Sequence, residues 1–417
     1  MHRQFSKVAP LHPSVRRPGD TVSSHGSATR MITGESGVAR RPLVTHFVHS
    51  DGFGGGTRMI SLRMRHCPKF DRMVIHGGRG IIAQTCDEKE IPHIQLPVDS
   101  FWKLILGFPR LALALRRTRP DVFIMHGQWG GPIGALAARL AGIKKIVYVA
   151  RWPAFYTDWD IFRLIRNFIA ERIPCRIADR VVVLGASSYY QYFQRHLAGE
   201  YKLRIIPNPI DIDRIPTAEA AAKIREMHGW SDENVNVVSV GRISTQKRID
   251  WLLKSWAAVQ RQRPNARLWI VGDGELKEEC VALAATLGIE ATCTFLGFRA
   301  NGWDYIAAAD IVAMTTMYES RGNVMLEAMA AGRPIVASEV DGVRDSISHG
   351  VEGLLVRPGD IGKFAHCLMA LIDHPNLRSQ LGLRGRHRVG DYNFRTIMRQ
   401  YDDLIDELIT ESEAESA

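Results

Sequence analysis

No run of about 20 apolar residues occurs anywhere in the 417-residue chain, so no helix is expected to span a membrane. The N-terminal segment also lacks an apolar stretch of roughly 7–15 residues, which argues against a secretory signal. Cysteine is sparse: the six, at positions 67, 86, 175, 280, 293 and 367, form no C-x-x-C pair. That argues against a disulfide framework or a structural zinc site and points to a reducing, cytoplasmic location. No dense Lys/Arg run interleaved with aromatics appears, so a nucleic-acid partner is not expected. The G-x-G-x-x-G fingerprint is missing, and so is a ribose-binding acid about 20 residues beyond the first glycine-rich turn, which argues against a dinucleotide cofactor.

What is present suits a soluble protein of two domains. Hydrophobic residues make up 46% and charged residues 24%, and the length exceeds what one core of about 150–200 residues organises. The net charge is +10. Half of it lies in residues 1–42, where Arg3, Lys7, Arg16, Arg17, Arg30, Arg40 and Arg41 face only Asp20 and Glu35. With few apolar residues, this basic extension reads as disordered. Its acid-poor, Arg/Ser-rich composition resembles an organelle transit peptide; a start at Met31 is the other reading.

Order begins near residue 43. Residues 44–50 form a first strand, followed by Gly54, Gly55 and Gly56 and a helical pattern from about Arg58. Strand, glycine-rich turn and helix open a doubly wound α/β domain. Residues 73–76, 121–126, 146–150 and 179–184 read as further strands, with His126 and Arg151 at the ends of two of them, where such sheets line a ligand crevice. His126 is a candidate ligand contact or a capped core histidine. Residues 101–119 read as an apolar helix pair with basic ends, either a buried helix with a solvated end or a monotopic membrane contact. Two D-x-D triplets, at Asp158/Asp160 and Asp211/Asp213, match the pattern of metal-dependent sugar transferases, but the pattern is short and no metal is expected. The second half restarts with a strand at 235–240, then Gly241, Arg242 and Lys247 on a loop whose cations suit a diphosphate. Strands at 267–271 and 295–297 continue the alternation, so two parallel-sheet domains are expected.

The stretch from Asp310 to Gly342 carries the most chemistry. It reads as strand (311–314), loop, short helix (324–331) and strand (335–337), with Asn323 at the N-cap and Gly332 at the C-terminal stop. A helix start offers orphan amides and a positive dipole end to a phosphate. Glu319 stands in the loop and Glu327 one turn into the helix, where a carboxylate can accept hydrogen bonds from paired sugar hydroxyls.

Several blocks together resemble the retaining glycosyltransferases of family 4, with their GT-B fold of two Rossmann-like, doubly wound domains across a cleft. They are VGRISTQKRIDWLLKSW (240–256), LWIVGDGELKEE (268–279), FLGF (295–298) and the run 318–360, with Glu319 and Glu327 at the family's E-x7-E spacing. The resemblance covers roughly residues 43–390 and is strongest from Val240 onward. It implies an acceptor-binding domain at 43–210, a nucleotide-sugar-binding domain at 211–390, and a C-terminal helix with an acidic tail at 391–417. Arg242 and Lys247 would hold the donor diphosphate and stabilise its departure. Gly241 would border them, and Gly322, Asn323 and Val324 would offer backbone N–H groups. Glu327 would accept the ribose hydroxyls and Glu319 would lie over the sugar. Asn208 and Asp211 match the interdomain N-G-x-D turn, with Pro209 in place of glycine, and Gly54 to Gly56 match the acceptor-side glycine loop.

One departure stands out: the family's histidine after the 146–150 strand is Arg151 here. Arg151 is expected to take over, gripping a carboxylate or phosphate, or else His126 to substitute from the neighbouring loop. The implied function is metal- and cofactor-free transfer of a hexosyl group, with retention, from a nucleotide-diphosphate donor (UDP-linked by expectation) to a lipid-linked or polysaccharide acceptor of the cell envelope. The enzyme would be cytoplasmic and peripheral on the inner membrane face. The alternatives are a nucleotide-sugar epimerase or isomerase of the same fold and a catalytically silent nucleotide-sugar-binding subunit.

Overall fold

Short apolar runs that alternate with amphipathic helices leave the chain little choice but parallel sheets sandwiched between helices. The computed structural model describes residues 40–51, 55–66, 69–151 and 160–414. Its first sheet has strands β1 (Leu43–Val48), β2 (Asp71–Gly77), β3 (His93–Leu96), β4 (Val122–His126), β5 (Ile146–Val149), β6 (Arg180–Val183) and β7 (Leu203–Ile205). Helices α1 (Gly55–His66), α2 (Ile81–Glu88), α3 (Phe101–Thr118), α4 (Gly130–Leu140), α5 (Ile161–Ile177) and α6 (Ala186–Gln194) connect them. The second sheet has β8 (Val235–Val240), β9 (Ala266–Val271), β10 (Cys293–Gly297), β11 (Ile311–Met314), β12 (Ile335–Ser338) and β13 (Gly353–Val356). Around it run α7 (Ala218–His228), α8 (Ile249–Gln262), α9 (Lys277–Thr286), α10 (Gly302–Ala308), α11 (Asn323–Ala330), α12 (Asp341–Arg344), α13 (Ile361–Asp373), α14 (Pro375–Arg388) and α15 (Phe394–Ala414).

Strand order is β3-β2-β1-β4-β5-β6-β7 in the first sheet and β10-β9-β8-β11-β12-β13 in the second, with parallel pairing throughout. Both are doubly wound, as GT-B requires. Each order reverses at its first strand, so the crevices open at the C-terminal ends of β1/β4 and of β8/β11.

The core follows the two-residue period of the strands. Phe47, Phe123, Met125 and Tyr148 face α3, α4 and α5, while Val122, Ile124, Val147 and Val182 face the other way. That second face is covered by α15, which buries Ile397, Tyr401, Leu404, Ile405 and Leu408 against it. Each such aliphatic side chain contributes about 1.5–3 kcal/mol of gross transfer free energy. Helix α15 thus returns to the first sheet, and the described residues from Arg41 onward form one compact unit.

Three local expectations need correcting. The apolar 101–119 segment is one helix, α3, with Pro109 inside it, rather than a pair. Pro109 forfeits one backbone bond, and the turns on either side hold by packing. Helix α1 starts at Gly55, so Gly55 and Gly56 belong to its first turn instead of a loop, and Gly54 lies outside the described residues. Finally, Gly322 occupies the N-cap of α11 and Asn323 is its first helical residue, with no side-chain cap. The Asn323 Oδ1 instead accepts from Asn208 Nδ2 at 3.5 Å.

Candidate functional site

At the β8/β11 crevice, backbone contacts fix the loops before any side chain is considered. The turn after β8 is bound to the turn after β9 through Gly241 N–H to Val271 C=O and Ile243 N–H to Asp273 C=O, each 2.9 Å. Gly272 makes this approach possible: it has φ +154°, and a Cβ there would lie 1.8 Å from the Gly241 oxygen. The 244–248 turn is then tied to the segment after β11. Met317 N–H donates to Gln246 C=O at 2.9 Å, Gln246 Nε2 to Tyr318 C=O at 2.9 Å, and Thr315 Oγ1 to Lys247 C=O at 3.0 Å. The result brings Lys247 Nζ to 2.5 Å from Glu319 Oε2, with both groups mostly buried.

Glu319 is held from behind as well. Its C=O accepts from Gly342 N–H at 3.1 Å, and a Cβ at residue 342 would stand 2.3 Å from that oxygen. The Glu319 carboxyl also touches Gly322, the cap of α11, where a Cβ would sit 3.5 Å from it. The Lys247–Glu319 pair therefore stands beside the open N-terminus of an eight-residue helix. Arg242 points elsewhere: its guanidinium is 73% exposed and pairs with Glu275 at 3.0 Å.

Glu327 is on the same helix, facing a cavity of about 320 Å³ between the two sheets' layers. Ala300, Asn301, Trp303, Asn323 and Leu326 line it on one side, Arg58, Met59 and Leu62 of α1 on the other, and Pro209 to Asp211 close an end. Burial raises the Glu327 carboxyl above its usual range, and Arg58 opposes the shift. Arg58 reaches across with Nη1 at 3.7 Å from Glu327 Oε1 and Nη2 at 3.4 Å from Ala300 C=O. Nothing in the sequence distinguished Arg58 from its neighbours on α1.

At the β1/β4 crevice, His46, His126 and Arg151 form a chain. Arg151 Nε is 3.3 Å from His126 Nδ1, and His126 Nε2 is 3.0 Å from His46 Nδ1. Because Nε of arginine can only donate, His126 Nδ1 must accept, which fixes its proton on Nε2 and makes His46 the next acceptor. Burial, helped by Arg151 and Arg63, holds both imidazoles below their ordinary range, so both are neutral. His126 is thus a buried, doubly engaged residue that orients Arg151. Arg151 C=O accepts from Ser320 Oγ at 2.7 Å, so it abuts the Glu319 loop across the cleft. Its Cδ lies 3.7 Å from where a Cβ on Gly56 would be.

The D-x-D carboxylates have structural partners. Asp160 caps α5 by accepting Arg163 N–H at 2.9 Å, and Asp158 lies outside the described residues. Asp211 accepts Asp213 N–H at 3.2 Å, while Asp213 pairs with Arg395 at 2.9 Å. Among the described residues no group of three or more His, Cys, Asp or Glu gathers as a metal set.

Sequence reading passed over the residues that join the halves. Arg321 is buried; its guanidinium donates to Leu184 C=O, to Ser346 Oγ at 3.0 Å and to the Tyr392 hydroxyl at 3.1 Å. Asp345 caps α6 from the other half, accepting Ser187 N–H at 3.1 Å and Ser187 Oγ–H at 2.8 Å. Such long-range pairs have no local periodicity to reveal them.

Two family models match the chain: "Glycosyltransferase Family 4" over residues 74–214 and "Glycosyl transferases group 1" over residues 234–374. The chain is 28% identical over 294 residues to the lipopolysaccharide core biosynthesis glycosyltransferase LpsE of Rhizobium meliloti, covering 70% of this chain and 77% of that one. It is 31% identical over 272 residues to an uncharacterized glycosyltransferase of Haemophilus influenzae, covering 65% and 72%. The crystal structure of Anabaena Alr3699/HepE with UDP and glucose superposes with TM-score 0.78 at 21% identity, over 88% of this chain and all of that one.

Proposed function

The chain belongs to the glycosyltransferases of the GT-B fold, and from that premise we propose that it transfers a hexosyl group from a UDP-sugar to a lipid-linked or polysaccharide acceptor with retention of anomeric configuration. The observation that carries the reading is the Lys247–Glu319 pair beside the N-terminus of α11. In the structure each group satisfies the other. A bound donor gives each its own partner: the diphosphate takes the Lys247 ammonium and the amides of Gly322, Asn323 and Val324, and the sugar hydroxyls take Glu319. Breaking the C1–O bond leaves negative charge on the diphosphate and positive charge on the ring, and the cation and amides stabilise the first.

Glu327 and the cavity beside it supply the nucleoside end, with the carboxylate accepting the ribose hydroxyls. Arg242 reaches the diphosphate by releasing Glu275, an exposed pair worth about 1 kcal/mol or less. Gly241 borders the diphosphate, while Arg151, Gly55 and Gly56 border the sugar and acceptor, with His126 behind Arg151. The Anabaena relative of this fold, solved with UDP and glucose, supports the choice of UDP. The relative assigned to lipopolysaccharide core biosynthesis supports an envelope glycan as acceptor.

A thermal-shift panel of UDP-, GDP- and ADP-sugars tests the donor. Stabilisation of about 2.7 kcal/mol is expected at roughly 100 times Kd for a UDP-sugar. A flat response to every nucleotide sugar would overturn the reading.

The same reading has the enzyme meet a membrane surface through α3, α4 and α5. Leu106 and Phe162 are 75% and 81% exposed, and Ile105, Leu113, Leu140, Ile165 and Ile169 are exposed beside them. Helices α3 and α4 contain no acid at all, and the one in α5, Glu171, is buried, whereas Arg110, Arg117, Arg139, Arg163, Arg166 and Arg172 interleave with the apolar side chains. Apolar area plus cations worth about 1 kcal/mol each suits an anionic bilayer. Co-flotation with phosphatidylglycerol vesicles is expected, weakened by salt and lost in the double variant Leu106→Glu, Phe162→Glu. Equal recovery with purely zwitterionic vesicles would contradict it.

A further inference from the structure

A guanidinium held deep in a cleft ordinarily has a carboxylate beside it, because an uncompensated buried cation is costly. Arg151 has none. Its one side-chain hydrogen bond among the described residues goes to the neutral ring of His126, which engages His46, also neutral. The charge that acts on it is another cation, Arg63, which is buried over the Tyr401 ring at 3.8 Å, is close enough to Asp402 to oppose the upward shift that burial gives that carboxyl, and among the described residues has an Nη1 without a partner. Two more buried polar atoms in the loops beyond β1 and β4, His49 Nδ1 and Gln128 Nε2, also lack partners among the described residues. Among the described residues the Arg151 guanidinium therefore faces one neutral acceptor and a second cation. A structural arginine in an otherwise satisfied core would present neither feature.

The geometry also orients Arg151 for use. His126 takes Nε, which leaves the two Nη groups, the fork that binds a carboxylate or phosphate in two-point fashion. The Ser320 bond fixes the Arg151 main chain against the loop of Glu319, one residue away, so the residue stands where the two crevices meet. The stem passes the first turn of α1 at Gly56, where a Cβ would stand 3.7 Å from Arg151 Cδ, in ordinary contact.

We propose that Arg151, oriented by the His46–His126 pair, is the binding contact for an anionic group, a carboxylate or a phosphate, carried by the sugar or by the acceptor. The proposal rests on the nucleotide-sugar reading for what lies next to the site, but the site's own ligand chemistry is set by Arg151. A uronic-acid donor and a phosphorylated or acidic acceptor present the same group to the fork from opposite sides.

Isothermal titration of the full-length wild type, Arg151→Gln and Arg151→Lys separates these cases. One arm compares UDP-glucuronate with UDP-glucose. The other titrates inorganic phosphate and free glucuronate, each with and without saturating UDP. In at least one arm the wild type is expected to prefer the anionic probe by about tenfold or more, the scale of one charge-assisted hydrogen bond. Arg151→Gln should abolish that preference and leave UDP affinity in place, and Arg151→Lys, which keeps the charge without the fork, should restore part of it. Preference in the first arm assigns the anion to the donor, and preference in the second assigns it to the acceptor. An anion preference equal in all three proteins, or absent from both arms, overturns the proposal. Failure of UDP itself to bind overturns the donor reading instead, and the nucleotide-free titrations still decide whether Arg151 holds an anion.

Discussion

Replacing Lys247 with alanine is expected to lower kcat for sugar transfer by about 10²–10³-fold, the usual loss when one preorganised charge-stabilising group is removed. The reasoning starts from the backbone. The 244–248 turn is fixed to the segment after β11 by at least three hydrogen bonds, so no neighbouring cation can be drawn into the vacated position without breaking them. Arg248 is the nearest candidate in sequence, but Asp250 holds its guanidinium at 2.7 Å; Arg242 projects to Glu275 and is largely exposed. Its own alanine variant is expected to lose less. Removing Lys247 also leaves the mostly buried Glu319 without its cation, which should cost some stability. Measured at saturating UDP-sugar, with a melting curve to confirm the fold, the loss should fall mainly on kcat, because the charge on the diphosphate grows as the bond breaks. An unchanged kcat would remove Lys247 from the chemistry.

The second large effect concerns pH. Glu171 of α5 is buried in the first sheet's core, where it accepts from the hydroxyls of Tyr148 at 2.8 Å and Tyr192 at 2.6 Å. Burial raises its carboxyl from 4.5 to about 7, and the two hydroxyls oppose the shift. Below about pH 4.5 the folded and unfolded chains both hold the proton, so Glu171 is neutral in its effect. Between there and about pH 7 only the folded chain holds it, so stability falls as pH rises. Above that the penalty is complete, about 3 kcal/mol. The Glu171→Gln variant, which keeps an acceptor for both tyrosines, should lose this slope. It is expected to be more stable than the wild type by up to that amount at pH 8 and by almost nothing at pH 4.5. Parallel urea titrations across the range check it, and superimposable curves for the two proteins would refute it.

The legible parts of the fold were those with a local cause. Residues 311–314 and 235–240 match β11 and β8 to the residue, because a parallel strand buried on both faces reads as an apolar run, unbroken in β11 and interrupted only by Asn236 and Ser239 in the valine-rich β8. Gly332 ends α11 at φ +66°, as a glycine after a helix should. Strand β3 is the counterexample: His-Ile-Gln-Leu at a sheet edge has only one fully buried position and carries no such run. The α1 boundary slipped because glycines have the weakest helix propensity of any residue but proline, and only the first sheet's packing brings them into the turn.

The candidate site divides the same way. Glu319, Glu327, Arg242 and Lys247 could be picked out by spacing and charge, but the Lys247–Glu319 pairing could not, since it joins loops 72 residues apart. Arg58, Arg321 and Asp345 act across the two halves, and their meaning exists only once the chain is folded. His126 and Arg151 were recognised singly as strand-end residues. That one fixes the proton and orientation of the other follows from a 3.3 Å contact no sequence displays.

Crystals grown with UDP test the central claim most directly. The diphosphate should lie against the N-terminus of α11 with Lys247 Nζ turned from Glu319 onto a phosphate oxygen, and the ribose hydroxyls should be on Glu327. Nucleotide bound elsewhere, with the Lys247–Glu319 pair undisturbed, would contradict the account.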